Sequence, residues 1–300
     1  MEREAIKKEL RVLKYFLAVA REENITRAAE QLHVSRPAVS RQIAQLEEKL
    51  GIRAFERKGK RVTLTEEGRL LRRRAQEMLD LAEKTARDFR REPHQLTGEI
   101  AIGSGELMGF SQFAELLGRF AGEHPGVRYT LFSAGADLIR ERIDNGTLDL
   151  GIFSLPAELE RYDFLKFPSE EEFGILTSED GALAKKQAIA PEDLVDVSLI
   201  LPEQTLVQRE LARWFGDSYH RLRVTATYNL LYNAAILVQK GLGTALCLRL
   251  ECNYEGLKFV PLAPPSLELG AALAWKKQQA YPPAVSALID FARLKNNFLL

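Results

Sequence analysis

The apolar residues of the first fifty positions predict three packed helices, and this pattern constrains the fold more than any other feature of the chain. The first helix has one apolar face at helical spacing, formed by Leu10, Leu13, Phe16, Leu17 and Ala20. A second helix, which Thr26 can cap, carries Ala28 and Ala29. Because two adjacent alanines let another helix approach closely, we expect a tight crossing.

A third helix is predicted from Ser35 to Leu50. Ser35 is a suitable N-cap, Pro37 lies in the first turn, where a missing N–H costs nothing, and Gly51 marks the end. The buried stripe consists of Val39, Ile43, Leu46 and Leu50. Two short helices joined by a turn of three or four residues form a helix-turn-helix, whose second helix enters the major groove of DNA.

The polar residues at the start of this third helix have the chemistry that base reading needs. Arg donates paired hydrogen bonds to guanine, and Ser adapts to several base edges. We expect base contacts from Arg36, Pro37, Ser40 and Arg41, and phosphate contacts from Thr26, Ser35 and Gln42. The alternative is a generic helical hairpin with a solvated polar face.

A basic hairpin is predicted after the third helix. Residues 53–64 hold five basic side chains and one acid, with Gly59 at the tip. Such a hairpin is typical of a wing that grips phosphates, so we expect phosphate contacts from Arg57, Lys58, Lys60 and Arg61. Phosphate contacts add affinity without sequence information and make binding depend strongly on salt.

A long helix with an apolar seam is predicted to start at Thr65, with Glu66 and Glu67 placed at its positive end. The seam includes Leu71, Met78, Leu79, Ala82 and Phe89. The simplest partner for it is the same helix of a second subunit. Packing within its own chain is the alternative.

The charge of the chain is divided unevenly, although its formal net charge is zero. Residues 1–91 hold 23 Lys and Arg against 15 Asp and Glu, whereas the remainder holds 19 against 27. This division indicates an anionic partner for the first part alone. The alternative interpretation is that charge merely fluctuates along the chain, with no partner implied.

After a polar hinge that begins at residue 92, strand and helix patterns alternate, which predicts an α/β domain with parallel sheets. Residues 269–275 have the pattern of a further strand, which an amphipathic helix follows.

Ligands of such sheets bind at the carboxyl ends of strands, beside helix N-termini. Four loops qualify, and their residues are Ser104, Gly105, Glu106, Leu107, Ser133, Ala134, Pro202, Glu203, Thr227, Tyr228 and Asn229. Free N–H groups at these helix starts favour an anionic effector such as a carboxylate. Glu106 offers two further readings: its own carboxylate occupies a helix start, or it binds a ligand amine or hydroxyl.

Residues 10–68 resemble the DNA-binding module of the LysR-type transcriptional regulators. The resemblance is carried by residues 13–20 (LKYFLAVA), 26–32 (TRAAEQL), 34–43 (VSRPAVSRQI), 46–51 (LEEKLG), 55–57 (FER) and 64–68 (LTEEG). The family commonly has Gln where Arg36 stands, so base preference is expected to differ there. The chain also carries extra residues at its N-terminus, whose role the sequence does not show.

The resemblance implies a winged helix-turn-helix over residues 1–64, a dimerising linker helix over 65–91 and an effector-binding domain over 92–300. The last of these would have the two-lobed fold of type 2 periplasmic binding proteins. Its first lobe would comprise residues 98–165 and 269–300, with 269–275 as the strand that returns to it, and its second lobe residues 166–268. The implied partners are double-stranded DNA, a small-molecule effector, further copies in a homodimer or homotetramer, and RNA polymerase. The implied activity is activation or repression of bacterial genes.

Three other readings compete with a ligand-responsive regulator. An enzyme is disfavoured because His33, His94, His124 and His220 have no nucleophile or carboxylate at an informative spacing. A solute-binding protein would leave the basic module without a role. A DNA-binding protein whose sensor binds nothing stays compatible with the sequence. We expect no metal or cofactor, no membrane span and, because no secretion signal is visible, a cytoplasmic location.

Overall fold

The computed structural model describes residues 2–58, 61–88, 95–155, 157, 159–264 and 269–296. The chain divides into two compact units, Met1–Phe89 and Arg90–Leu300. None of the helices in the described ranges is long and apolar enough to cross a membrane.

The first unit consists of helices and one hairpin: α1 Glu2–Glu22, α2 Ile25–Gln31, α3 Arg36–Leu50, β1 Phe55–Lys58, β2 Arg61–Leu64 and α4 Glu66–Asp88. Its core joins Phe16 of α1, Ala28 of α2 and Val39 of α3, all fully buried. Both paired alanines, Ala28 and Ala29, are buried in this shared core, as a close approach of another helix requires. The hairpin is held on this core by Phe55, whose ring lies 5.1 Å from that of Phe16.

The helix ends of this unit agree with the sequence except at α2. Asn24, rather than Thr26, is the N-cap, and its Oδ1 accepts hydrogen bonds from the N–H groups of Thr26 and Arg27. Thr26 is the second residue of α2, two positions after the cap, so the predicted Thr26 cap is wrong. Gly51 ends α3 at φ +65°, where its missing Cβ removes the steric penalty of a left-handed residue.

The second unit holds two five-stranded sheets, one in each lobe. Its strands are β3 Gly98–Ser104, β4 Val127–Ser133, β5 Leu150–Leu155, β6 Tyr162–Glu171, β7 Phe173–Ser178, β8 Ser198–Pro202, β9 Arg223–Tyr228, β10 Thr244–Leu248, β11 Leu257–Pro261 and β12 Leu269–Lys276. Its α-helices are α5 Gly109–Glu123, α6 Ala136–Asp144, α7 Thr205–Phe215, α8 Leu231–Gln239 and α9 Pro283–Asn296. Short 3₁₀ helices cover Leu183–Lys185, Pro191–Leu194 and Gly216–Arg221.

The strand order is β4-β3-β5-β12-β6 in the first lobe and β11-β7-β10-β8-β9 in the second. The expectation of parallel sheets is met by β3, β4 and β5 and by β8, β9 and β10. It fails for β12, which runs antiparallel to β5 and β6, and for β7, which runs antiparallel to β10 and β11. Both sheets are therefore mixed.

The chain crosses between the lobes later than the sequence boundary at residue 165. β6 pairs with β12 as far as Glu171, opposite Leu269, and the second sheet begins at Phe173. The reason is that β6 is a ten-residue strand whose backbone bonds to β12 along its length. The predicted return strand at 269–275 is confirmed, since β12 lies between β5 and β6.

Candidate functional site

The start of α3 presents its polar side chains to solvent. Ser35, Arg36, Pro37 and Arg41 are exposed and Ser40 is half-buried. Val39 and Ile43 on the opposite face are buried in the core, so the helix cannot turn this polar surface inward. The prediction that Leu50 is buried with them is wrong, since this last residue of α3 is 49% exposed. Four of the five residues at the start of α3 have thus the accessibility that contact with another molecule requires.

The predicted phosphate-contacting residues of α2 and α3 lie near this surface but differ in their bonding. Thr26 and Ser35 are exposed, and the hydroxyl of Ser35 makes no capping bond within the described structure. Gln42 is half-buried, and its Nε2 donates to Oε1 of Gln45 at 3.3 Å.

A carboxylate of α3 fixes the hairpin, which we call the wing (β1, β2 and the residues between them). Oε1 of Glu47 accepts hydrogen bonds from the N–H groups of Ala54 at 2.7 Å and Phe55 at 3.1 Å. On the other side, the N–H of Val62 donates to the carbonyl of Glu23 at 3.0 Å. The wing is therefore tied both to the exposed helix and to the turn before α2. Sequence reasoning missed Glu47, because a glutamate near a helix end carries no signal for such a role.

The wing cations are only partly within the described residues. Arg57 and Lys58 lie on β1, but their side chains are outside the description, as is the whole of Lys60. Arg61 begins β2 and is exposed.

The start of α4 is packed against the wing. Thr65 caps the helix as predicted, since its Oγ1 accepts from the N–H of Gly68 at 2.9 Å. A Cβ atom at Gly68 would stand 2.0 Å from the carbonyl oxygen of Ala54, so only glycine permits this approach. Oε2 of Glu67 accepts from the N–H of Arg53 at 3.1 Å.

The apolar seam predicted on α4 is divided between two faces. Leu79 is buried and Leu71 partly buried against the core of their own unit, and Ala82 is half-buried. Met78 is instead 55% exposed and shares its face with Leu70 and Leu81, which sequence reasoning missed. At 100° per residue these three lie within a sector of about 80°. Phe89 lies outside the described residues.

A cavity of about 70 Å³ lies between the two lobes of the second unit. It brings together residues of three of the four predicted loops: Gly105, Glu106, Leu107, Pro202, Tyr228 and Asn229. The other predicted residues do not line it. The hydroxyl of Ser104 donates to the carbonyl of Gly105, Ala134 is buried beside that loop, and Ser133, Glu203 and Thr227 are exposed.

Each of the two units matches a model of a known protein family. A model of the LysR substrate binding domain matches residues 93–295, and a model of the bacterial regulatory helix-turn-helix protein, lysR family, matches residues 10–69. The chain belongs to the LysR family. It is thus a DNA-binding transcriptional regulator with a helix-turn-helix module and an effector-binding domain.

Named relatives of this LysR chain are regulators. A probable RuBisCO transcriptional regulator of Porphyra purpurea is 32% identical over 243 residues, which cover 79% of this chain and 76% of the relative. The uncharacterized HTH-type transcriptional regulator YybE of Bacillus subtilis is 28% identical over 281 residues, 93% of this chain and 96% of the relative.

Solved structures of LysR proteins share the fold. The crystal structure of CbnR, a LysR family transcriptional regulator, has a TM-score of 0.77 at 21% identity and covers 96% of this chain and 99% of its own. The full-length CbnR complexed with its target DNA has a TM-score of 0.75 at 21% identity, with 95% and 99% of the two chains covered.

The carboxylate of Glu106 joins the two lobes across the cleft of this LysR chain. Its Oε2 accepts a hydrogen bond from the N–H of Leu231, the first residue of α8. Glu106 belongs to the first lobe and α8 to the second, so this bond closes the cleft from side to side. Of the two readings that the sequence left open, the structure selects the one in which the Glu106 carboxylate occupies a helix start.

A second carboxylate occupies the start of α5. Glu171, at the end of β6, is buried and accepts from the N–H groups of Gly109 at 2.7 Å and Met108 at 3.0 Å. Burial raises the pKa of this carboxyl, while the two N–H donors act in the opposite direction. The expectation of free N–H groups at every helix start is therefore wrong for α5 and α8.

The starts of α6 and α7 are arranged differently. Within the described part of the chain, neither start receives a capping bond from a side chain. Ala136 of α6 and Gln204 before α7 both line the cavity, and a Cβ atom at Gly135 would stand 3.7 Å from Nε2 of Gln204. The two starts thus meet across the cleft. The sequence predicted the loops that lead into them but missed the lining residues Ala136 and Gln204.

The remaining wall of the cleft is uncharged. Tyr228 donates its hydroxyl hydrogen to the carbonyl of Leu246 at 2.7 Å, and the thiol of Cys247 is fully enclosed. Burial raises the pKa of both groups well above their ordinary values, so both stay protonated at neutral pH. Among the described residues no group of three or more His, Cys, Asp or Glu is arranged to hold a metal ion.

Proposed function

We propose that this LysR-family chain binds specific DNA sequences and that a small molecule, bound between the lobes, regulates that binding. The start of α3 carries the first half of the proposal, because Arg36 and Arg41 are exposed above a buried stripe that fixes the helix. The similar CbnR chain has been solved with its target DNA, which supports the same use of this module.

Variants of two kinds separate base reading from phosphate binding. We expect Arg41→Ala, and equally Arg36→Ala, to weaken binding to a duplex selected from a random library by about 1–3 kcal/mol, with little effect on random duplex. Arg61→Ala should weaken binding to both duplexes and reduce the dependence of the binding constant on salt concentration. Fluorescence anisotropy at several salt concentrations measures each effect. Equal losses on both duplexes for Arg41→Ala would contradict base reading.

The proposed assembly is a homodimer through α4 and a homotetramer through the second unit. Leu70, Met78 and Leu81 supply an exposed apolar face on α4. In the second unit, Leu131 on β4 and Val224 on β9 are exposed on edge strands, which are open to pairing with another copy. RNA polymerase remains a further proposed partner.

The carboxylate of Glu106 restricts the proposed effector. An anionic group at the start of α8 would have to displace Glu106, and the start of α5, which Glu171 occupies, does not line the cleft. The starts of α6 and α7 are the places where one anionic group can meet helix N–H groups. The cleft volume of about 70 Å³ holds a few water molecules, so the lobes must separate to admit an effector.

A blocked cleft tests the location of this effector. A Cβ atom at Gly105 would stay at least 3.6 Å from its neighbours, so Gly105→Phe places a ring in the cleft without backbone strain. A metabolite that raises the unfolding temperature of the wild-type chain should have no effect on Gly105→Phe, since a ligand stabilises only the state that binds it. An equal shift for both proteins would place the effector elsewhere.

A further inference from the structure

A groove of about 430 Å³, which we call the Trp214 groove, lies on the second lobe and shares no lining residue with the cleft. Its walls come from the 3₁₀ helix Pro191–Leu194, from α7 and from the segment that follows β11. The apolar residues that line it are Ala190, Pro191, Trp214, Ala263 and Pro264. Grooves lined by aromatic side chains are the surfaces on which extended proline-rich segments dock.

The ring of Trp214 is held in one orientation. Its Nε1 donates to the carbonyl of Ala263 at 3.3 Å, and its ring stands edge-on to that of Phe215, with the ring centres 4.8 Å apart. The side chain is half-buried, so part of the ring stays open to the groove. Because the ring is already ordered, a partner that packs on it loses less conformational entropy on binding.

The walls of the Trp214 groove offer few backbone donors to an occupant. The N–H of Ala190 donates to Oδ2 of Asp193 at 3.1 Å, and the N–H of Ala263 donates to the carbonyl of Ile189 at 2.7 Å. The two prolines of the wall have no N–H group. Such a wall suits a segment in the polyproline II conformation, because the backbone of that conformation stays solvated and needs no hydrogen-bonded partner.

The charged side chains of the groove favour a cationic partner. Glu192, Glu210 and Arg213 line it, and Arg213 donates to Oε1 of Glu210 at 2.6 Å. That pair cancels its own charge, so the exposed Glu192 leaves the groove negative. Residues 92–300 hold 27 acidic against 19 basic side chains, and this excess attracts a cation to the same unit.

We propose that the Trp214 groove docks a proline-rich segment of another protein, with an arginine or lysine beside its prolines. The proline rings of the segment pack on Trp214, Pro191 and Pro264, and its cation meets the carboxylate of Glu192. The groove uses no residue of α3, of the wing or of the cleft. The proposal therefore does not rest on the DNA binding or the effector proposed above.

Titration of the full chain with acetyl-Arg-Pro-Pro-Pro-Pro-amide tests the proposal, followed by isothermal titration calorimetry and by tryptophan emission. The chain has two tryptophans, of which Trp275 is buried, and the peptide has none, so a change in emission reports on Trp214. We expect saturable binding with such a change. The matched peptide acetyl-Glu-Pro-Pro-Pro-Pro-amide should bind about tenfold more weakly, because its charge is repelled.

Glu192→Arg should reverse this preference. It should weaken binding of the basic peptide by about tenfold or more and strengthen binding of the acidic one, since the charge at the edge of the groove changes sign. The matched control is Glu255→Arg, which changes an exposed glutamate of the second lobe outside the groove and should leave both affinities unchanged. Trp214→Leu removes the ring and should weaken both peptides by about tenfold or more.

Four results would overturn the proposal. The first two are an absence of binding by the basic peptide and equal affinity of the wild-type chain for the basic and acidic peptides. The third is equal weakening by Glu192→Arg and Glu255→Arg, which would show a general effect of charge. The fourth is equally tight binding of acetyl-Arg-Gly-Ser-Gly-Ser-amide or displacement of the bound peptide by an equal concentration of spermidine, since either would show a site for cations alone.

Discussion

Glu106 and Glu171 place two carboxylates at helix starts where a ligand anion would otherwise bind. The two differ in what they join. Glu171 connects β6 with α5 inside the first lobe, whereas Glu106 connects the first lobe with α8 of the second. Glu171 is therefore part of the lobe itself, and Glu106 is a contact that opening of the cleft must break.

Glu106→Gln tests this contact. The amide keeps an acceptor oxygen but loses the charge that interacts with the α8 dipole, a loss of about 0.5–2 kcal/mol. We expect faster hydrogen exchange at the Leu231 amide, measured by NMR or mass spectrometry. The matched control is Glu203→Gln, an exposed glutamate that does not line the cleft. Unchanged exchange at Leu231 would show that Glu106 does not hold the lobes together.

The raised pKa of Glu171 predicts how the free energy of unfolding changes with pH. Burial raises the pKa of its carboxyl above the ordinary 4.5, so the folded chain holds this proton more tightly than the unfolded chain. The free energy of unfolding should fall as pH rises from 4.5 through the raised pKa, and level off above it. Denaturant titrations of wild type and Glu171→Gln measure this, since the variant lacks the titrating group. Glu203→Gln, which changes an exposed glutamate, should behave as wild type. A wild-type minus Glu171→Gln difference independent of pH would contradict the assignment.

The position of the wing depends on a contact with a side chain of α3. Glu47 near the end of α3 holds the N–H groups of Ala54 and Phe55, so the position of β1 follows that of α3. Base reading by α3 and phosphate binding by the wing are therefore mechanically linked through one side chain.

Glu47→Ala should loosen the wing without changing the exposed face of α3. Two N–H groups lose their acceptor, which costs about 1–3 kcal/mol of unfolding free energy. Exchange at the Ala54 and Phe55 amides should accelerate, and DNA affinity should fall for every sequence. Glu48→Ala is the control, because Glu48 is the exposed neighbour on the same helix. Identical exchange at Ala54 in the two variants would contradict this role for Glu47.

Sequence patterns predicted the elements better than the contacts between them. Helical spacing and the Ser35 and Gly51 signals placed α3 within a residue of its observed bounds, because such signals are local. The antiparallel run of β12 and the Glu106–Leu231 bond join residues more than a hundred positions apart, and no local pattern encodes them. No local pattern predicts the exposure of Leu70 and Leu81 either, because the packing of α4 against α1 determines which face of α4 is buried.

At the scale of the whole molecule, the two faces of α4 bear on the proposed assembly. One face packs on its own unit through Ala75 and Leu79, and Leu70, Met78 and Leu81 are exposed on the other. Packing within the chain is thus observed for the first face, and a partner helix stays the proposal for the second.

Met78→Glu combined with Leu81→Glu should dissociate the proposed dimer. Two charges would enter an apolar contact, where burial of an unpaired charge is strongly unfavourable. Sedimentation velocity should show at least a tenfold higher dimer dissociation constant, about 1.4 kcal/mol or more. Gln76→Glu adds a charge on another exposed part of α4 and should leave association unchanged. Full dimerisation of the double variant would remove α4 from the interface.

The carboxylate of Glu106 also bears on how the proposed effector should be sought. A compound collection rich in diacids assumes two vacant anion sites on opposite walls, yet the start of α8 already has a counter-charge from the other lobe. Screening should therefore favour molecules with one acidic end and a neutral or amine-bearing remainder. The Glu106→Gln protein, screened in parallel, would reveal any diacid that only the native side chain keeps out.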